Sequence, residues 1–260
     1  MPIQTHHPAG TPSWFDLTSG KPEEAQQFYS RLFGWSFEDQ GPEYGHYHWV
    51  CKDGHVVAGF MSKSPEMGEM PSTWTVYYGS DDARADAGRI RELGGQVMVE
   101  PMDVHGLGHM LVASDPTGAV FGLWQPLEFG GSELENEHGS MTWQEVNTRD
   151  AGAARAFYTR LFGATSEPMQ GVEGLTYHTL SKEGQEVGGI MGMDAEHWPD
   201  SIPPHWMPYF AVNDVREAVR VAPESGGTVQ VPPFDSPYGT IAILSDPDGA
   251  VFSVIELSEP

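Results

Sequence analysis

The sequence predicts an α+β fold of four βαβββ modules, paired into two tandem domains. Three observations carry the prediction. The first is an internal repeat: Trp14-Phe15-Asp16-Leu17 followed by Phe28-Tyr29-Ser30-Arg31-Leu32-Phe33-Gly34 recurs 129 residues later as Trp143-Gln144-Glu145-Val146 and Phe157-Tyr158-Thr159-Arg160-Leu161-Phe162-Gly163. The second is that Gly94-Gly95-Gln96-Val97 and Ser114-Asp115-Pro116-Thr117-Gly118-Ala119-Val120-Phe121 return as Gly226-Gly227-Thr228-Val229 and Ser245-Asp246-Pro247-Asp248-Gly249-Ala250-Val251-Phe252. The third is that each half repeats its own order of strand, helix and three strands, and 260 residues suit two domains rather than one core.

In order, Trp14–Ser19 reads as a strand. Pro22–Phe33 reads as a helix, with proline in its first turn, Gly34 past its end, and Ala25, Phe28, Tyr29, Leu32 and Phe33 on one face. Short strands follow at Ser36–Asp39, His46–Lys52 and Val56–Met61. The second module opens with the strand Trp74–Ser80 and the helix Asp82–Leu93, capped by Asp81 or Asp82 and stopped by Gly94-Gly95. Its strands are Gln96–Val99, His109–Ala113 and Val120–Gln125, the last two joined by the turn Asp115-Pro116-Thr117-Gly118. The second half has the same order, with helices at Ala151–Phe162 and Asp214–Ala222. The boundaries expected are a tail at 1–9, domain 1 at 10–126, an acidic, glycine-containing linker at 127–139, and domain 2 at 140–260.

Thirteen Lys plus Arg against 37 Asp plus Glu give a formal charge of −24. Such a surface repels phosphate backbones and anionic lipid, so neither nucleic acid nor membrane is an expected partner. The charge keeps the chain soluble by self-repulsion or reflects adaptation to high salt; only the second predicts large stabilisation between about 0.1 and 2 M KCl in an unfolding experiment. Cys51 is the only cysteine, which excludes an internal disulfide, and it reads as a small buried hydrophobe. The polar start MPIQTHHPAGTP lacks the basic and apolar runs of a signal peptide, so a frayed tail (His6 and His7 included) and a cytoplasmic location are expected. No glycine-rich phosphate loop opens a helix after a strand. The Met-rich stretch Met61–Met70 and its counterpart Met191–Pro204 read as a lid or a connection between modules.

The repeated FY-x-R-LFG helix ending, the GG-x-V strand opening and the D-P-x-G-A-V-F hairpin resemble the glyoxalase, bleomycin-resistance and extradiol-dioxygenase group, the vicinal oxygen chelate superfamily, in its two-domain actinobacterial glyoxalase-like form. The resemblance covers about residues 10–126 and 140–258. It implies curved mixed sheets closed around a cleft in each domain. It also implies a divalent metal held by His, Gln or Glu on the first strand of each module and Glu on the last. Those positions map to Trp14, Thr75 and Gly122 in domain 1 and to Trp143, Met207 and Ser253 in domain 2, and none is a His, Gln, Asp or Glu. A cofactor of the family type is therefore not expected, while a divalent metal on other ligands stays open.

Strand alternation places further residues on the same faces. Asp16 and Thr18 accompany Trp14; Glu145 and Asn147 accompany Trp143; Tyr77 and Tyr209 lie beside Thr75 and Met207. Asp16 and Glu145 are one carboxylate per cleft, each two residues from an indole. Desolvation there would raise their pKa toward neutrality and suit them to act as general bases, with Tyr77 and Tyr209 orienting a substrate carbonyl. The competing reading makes both carboxylates structural. His48 and His178 recur after Tyr47 and Tyr177 and, with His205, are the remaining metal-ligand candidates, against a reading as ordinary strand residues. The function expected is binding of a small carbonyl-bearing or aromatic metabolite, with lyase or isomerase chemistry in one or both clefts. The alternatives are a sequestering protein, a metal-dependent glyoxalase or dioxygenase on non-standard ligands, and clefts that have degenerated into core. Fused domains complete internally what single domains do by pairing, so a monomer is expected, with a homodimer as alternative.

Overall fold

The computed structural model describes residues 6–169 and 176–258. Domain 1 runs β1 (Pro12–Ser19), α1 (Pro22–Phe33), β2 (Ser36–Asp39), β3 (His48–Lys52), β4 (His55–Ser62), then β5 (Thr73–Gly79), α2 (Ala83–Glu92), β6 (Gln96–Asp103), β7 (Gly108–Ser114) and β8 (Val120–Pro126). Domain 2 repeats it as β9 (Met141–Thr148), α3 (Ala151–Phe162), β10 (Thr165–Pro168), β11 (Tyr177–Lys182), β12 (Gln185–Gly192), β13 (His205–Ala211), α4 (Val215–Glu224), β14 (Thr228–Ser236), β15 (Gly239–Ser245) and β16 (Val251–Leu257). Each domain forms one eight-stranded mixed sheet, in the orders β2-β3-β4-β1-β5-β8-β7-β6 and β10-β11-β12-β9-β13-β16-β15-β14. Two modules meet where the first strand of each pairs antiparallel, β1 with β5 and β9 with β13. Among the described residues no helix is long and apolar enough to cross a membrane.

The local signals act as their chemistry requires. Asp82 and Asp214 cap α2 and α4, each accepting two backbone N–H bonds, and Gly34 and Gly163 end α1 and α3 in the left-handed conformation. β6 runs to Asp103, four residues past the expected Val99. Pro101 cannot donate to a ladder, but β6 is the edge of its sheet and its pairing shifts register between Val99 and Met102.

The repeated motifs turn out to join the domains. Phe28 and Tyr29 of α1 pack on domain 2, and Phe157 and Tyr158 of α3 pack on domain 1, all within one continuous core. The approach is close enough to need glycine: a Cβ on Gly227 would sit 2.4 Å from the Phe28 ring, and one on Gly95 would sit 2.9 Å from the Phe157 ring. The Tyr29 hydroxyl accepts from Trp74 Nε1 at 3.0 Å and donates to Asp246 Oδ2 at 3.4 Å, on the opposite domain's Asp-Pro turn. Tyr158 reciprocates, accepting from Trp206 Nε1 at 2.9 Å and facing Asp115. Asp115 and Asp246 meanwhile hold their own turns through backbone N–H bonds. The two sheets thus share a helical middle layer.

Two segments differ from expectation. The tail is tied down from His7 onward: His7 is buried, its Nε2 lies 2.9 Å from the Ser132 carbonyl, and Gly10 N–H donates to Gly79 at 2.8 Å. Residues 127–139, between the two domains, form a packed strap. Ser132 N–H donates to Ser13, Val56 N–H donates to the Glu133 carboxylate, and Trp35 Nε1 donates to Gly139, each at 2.7–2.8 Å. Backbone polar groups bonded at this density fix the path of the strap and of Phe129 within it.

Candidate functional site

In domain 2, three side chains from three strands meet around one carboxylate. Trp143 and Glu145 project from the same face of β9, Tyr209 stands opposite Trp143 on β13, and Tyr177 reaches in from β11. Tyr209 donates its hydroxyl to Glu145 Oε1 at 2.8 Å; Tyr177 also faces Glu145 and accepts from Trp143 Nε1 at 2.9 Å. Between Tyr177 and Glu145 lies β12, and Gly189 is the residue paired with Glu145. A Cβ there would stand 2.0 Å from the Tyr177 oxygen, so the phenol crosses the strand only because that residue is glycine. Domain 1 repeats the device: Gly59 pairs with Asp16, and a Cβ on it would stand 1.7 Å from the Tyr47 oxygen.

Burial pushes the Glu145 carboxyl up to about 7, against the opposing pull of its Tyr209 and Tyr177 hydrogen bonds. Both phenols are in turn driven upward by burial and by the neighbouring carboxylate, so they remain donors throughout the neutral range. Glu145 therefore exchanges a proton near neutrality while two fixed phenols hold its orientation. Gly189→Val should displace Tyr177, remove one of the two hydrogen bonds that hold the Glu145 carboxyl down, and move its titration further up from about 7, measured by carboxyl NMR; an unchanged titration would refute the role given to this glycine.

Above Glu145 opens a cavity of about 410 Å³, within the size range of small-molecule pockets. Trp143, Tyr177 and Tyr209 form its base, Met191, Ile241 and Ile255 its sides, and the half-exposed Phe234 and Tyr238 its rim. Its walls are mostly apolar; Thr142, Thr179, Glu186, Asp235 and Ser236 also line it, while the carboxylate–phenol group is the buried polar group at its base.

Domain 1 has the same polar group but not the space. Asp16 accepts from Tyr77 at 3.1 Å and Tyr47 at 3.4 Å, Trp14 Nε1 donates to Tyr47 at 2.9 Å, and burial raises the Asp16 carboxyl to about 6. Trp14, Tyr77 and Trp124 are all buried there, with Phe129 from the strap packed against them. The Phe129 ring lies 4.9 Å from Trp14, perpendicular to it, and 5.5 Å from Trp49, stacked on it. Repeat equivalence explains the contrast: Trp49 corresponds to Thr179 and Trp124 to Ile255. Among the described residues no aromatic ring packs on Trp143 as Phe129 packs on Trp14. One domain has a filled cleft, the other an open one.

Other candidate residues fall elsewhere. Thr75 pairs with Asp16 and hydrogen-bonds its carboxylate, whereas Met207, paired with Glu145, is buried and does not line the cavity. Asn147, two residues beyond Glu145 on its strand, does not line the cavity, and Thr18 holds the equivalent place in domain 1. His48 and His178 are on the wrong face to share a metal with the carboxylates. They alternate with Tyr47 and Tyr177, so His48 points at Phe60 and His178 is paired with Ile190, both core residues. His205 sits at the far end of β13, with Nδ1 2.8 Å from the Pro203 carbonyl and Nε2 3.5 Å from Asn147; burial lowers its pKa and keeps it neutral. Tyr47, Tyr177, Gly59 and Gly189 were not singled out from the sequence as site residues, although both pairs repeat at a spacing of 130.

The donor set does not fit a family-type divalent centre. The register corrects the expected second-module positions: Tyr209, not Met207, lies in line with Trp143 and Ser253, and Tyr77, not Thr75, lies in line with Trp14 and Gly122, across the three strands where such ligands belong. Neither row offers the imidazole and carboxylate set that such a metal takes. Among the described residues no group of three or more His, Cys, Asp or Glu converges.

Comparison with known proteins now adds the family. The model for the glyoxalase/bleomycin resistance protein/dioxygenase superfamily matches residues 11–123 and 140–254. The chain belongs to this superfamily. It is 37% identical over 98% of both chains to the Mycobacterium tuberculosis protein named "Putative glyoxylase CFP32". It is also 37% identical to "Anthracycline biosynthesis protein DnrV" of Streptomyces peucetius, over 98% of this chain and 96% of that one. Among solved structures, the Mn(II)-bound glyoxalase of Novosphingobium aromaticivorans superposes with a TM-score of 0.68 at 14% identity, covering 96% of this chain and 83% of that one. The 2,3-dioxygenase LapB of Pseudomonas sp. KL28 gives 0.66 at 13%, covering 97% and 94%. At such identities these structures share the fold; the chemistry rests on the residues of each site.

Proposed function

We propose that this protein binds a small carbonyl-bearing or aromatic metabolite in the domain 2 cavity, with Glu145 as the group that takes and returns a proton there. The observation carrying this reading is a buried carboxyl, shifted to about 7, at the floor of an open apolar cavity and fixed by two phenols. The chemistry that suits it is proton abstraction beside a carbonyl, as in an isomerase or lyase. Glu145 carboxylate removes a proton from the α-carbon, and the electron pair moves onto the carbonyl oxygen. Reprotonation from the Glu145 carboxyl restores the ketone or places the double bond elsewhere. A relative named for anthracycline biosynthesis accords with this ligand class. The proposal includes a cytoplasmic setting, no nucleic-acid or membrane partner, and a monomeric chain.

The probe is β-tetralone, which carries both an aromatic ring and an acidic α-position. Wild-type protein should accelerate α-deuterium exchange in D₂O, followed by proton NMR, and Glu145→Gln should reduce the protein-dependent rate by about 10²–10⁴-fold. Tight uptake without accelerated exchange would instead establish the sequestering alternative, which the mostly apolar lining favours. The absence of both uptake and exchange would refute the proposal.

A further inference from the structure

Phe129 belongs to no regular element, yet it occupies the space directly over the carboxylate–phenol group of domain 1. Its backbone is held on both sides: its N–H donates to the Leu107 carbonyl at 3.0 Å, and its own carbonyl accepts from Trp124 Nε1 at 2.9 Å. Its ring meets Trp14 perpendicular at 4.9 Å, lies stacked on Trp49 at 5.5 Å, and stands 6.0 Å from Trp124. These are favourable aromatic geometries on three sides. The surroundings beneath it are those of the domain 2 cavity: an indole donating to a tyrosine that crosses a glycine, a second tyrosine, and one buried carboxyl.

We propose that Phe129 is a built-in occupant of an arene site in domain 1, and that its ring marks where an aromatic ring of the ligand rests against Trp143 in domain 2. This deepens the reading of the domain 2 cavity and rests on it. The differences between the two copies extend the inference to ligand size. Where Phe129 is stacked on Trp49, domain 2 has Thr179; where Trp124 closes the other side, domain 2 has Ile255. Two indoles are thus replaced by small side chains next to the ring position, and the space they vacate belongs to the 410 Å³ cavity. A single ring would leave that space unfilled. The ligand class is therefore a fused, planar arene of two or more rings, bearing a carbonyl or hydroxyl on the edge that meets Glu145 and Tyr209. Domain 1 keeps the recognition group and closes it with a side chain of its own.

Isothermal titration with 2-naphthol, a planar two-ring arene bearing one hydroxyl, tests this on the full chain. The expected stoichiometry is one for wild type and two for Phe129→Gly, with the second molecule's ring perpendicular to Trp14 in a crystal of the complex. Thr179→Trp, which rebuilds the domain 1 filling inside domain 2, should weaken wild-type binding by at least about tenfold. A folded Phe129→Gly protein that still binds one equivalent would overturn the proposal. Should that variant fail to fold, full affinity in Thr179→Trp would overturn it equally. A wild type that binds nothing, together with one site in Phe129→Gly, would refute the domain 2 reading yet support Phe129 as occupant of an arene site. No binding by either protein would end both.

Discussion

Glu145→Gln should make the protein more stable at pH 8 by on the order of 3 kcal/mol, and the gain should vanish below about pH 4.5. The sign follows from which state holds the proton more tightly. Unfolded, the carboxyl titrates at its ordinary 4.5; folded, burial raises it to about 7. Between those values the native state keeps a proton that the unfolded state has released, so the contribution of Glu145 to stability is highest below 4.5. It falls as pH rises to 7 and stays at its lowest beyond. The amide cannot ionise and escapes this loss. Asp16→Asn should behave alike over the lower window from 3.8 to about 6. Paired melts of wild type and variant across pH 4–8 isolate each group; a difference that does not change with pH would contradict the buried carboxyl of raised pKa on which the site depends. Gain in stability with loss of proton transfer is the pattern expected of a functional group kept at the expense of folding.

Phe157→Ala should cost about 3–5 kcal/mol and should loosen both domains together. The ring belongs to α3 of domain 2 but packs beside Gly95 of domain 1, inside a core that runs through both halves. Phe28→Ala, its counterpart against Gly227, should do the same. Calorimetry should show one cooperative transition in wild type and a single transition shifted down in each variant. Two resolved transitions, with only the mutated domain affected, would contradict a shared core.

These two predictions lie on opposite sides of what could be read from the sequence. The repeated Phe-Tyr-x-Arg-Leu-Phe-Gly and Asp-Pro-x-Gly motifs disclosed the fold because they do structural work: they form the helical layer and the turns it docks on. For the same reason they said nothing of function. Asp16 and Glu145 were legible through strand alternation and the repeat. Their partners Tyr47 and Tyr177 were partly hidden by the histidines that follow them, which look more like chemistry but face the core. Gly59 and Gly189 carry a repeat signal, but their role appears only with the register that pairs each with a carboxylate. The difference between the clefts was least legible. It depends on Trp49 against Thr179, on Trp124 against Ile255, and on Phe129, whose acidic, glycine-containing surroundings read as a linker. A substitution at a non-repeating position acquires meaning only when its neighbours across strands are known.

The central claim is that proton chemistry belongs to Glu145 beneath an open cavity, while the equivalent Asp16 is closed off. Carboxyl ¹³C NMR titration of the full chain, with and without β-tetralone, addresses it directly. The predicted result is one carboxyl titrating near 7 that disappears in Glu145→Gln and shifts on adding the ketone, and a second near 6, absent in Asp16→Asn, that the ketone leaves unmoved. A Glu145 titration at an ordinary 4.5, or a ketone-induced shift at Asp16 instead, would contradict the account.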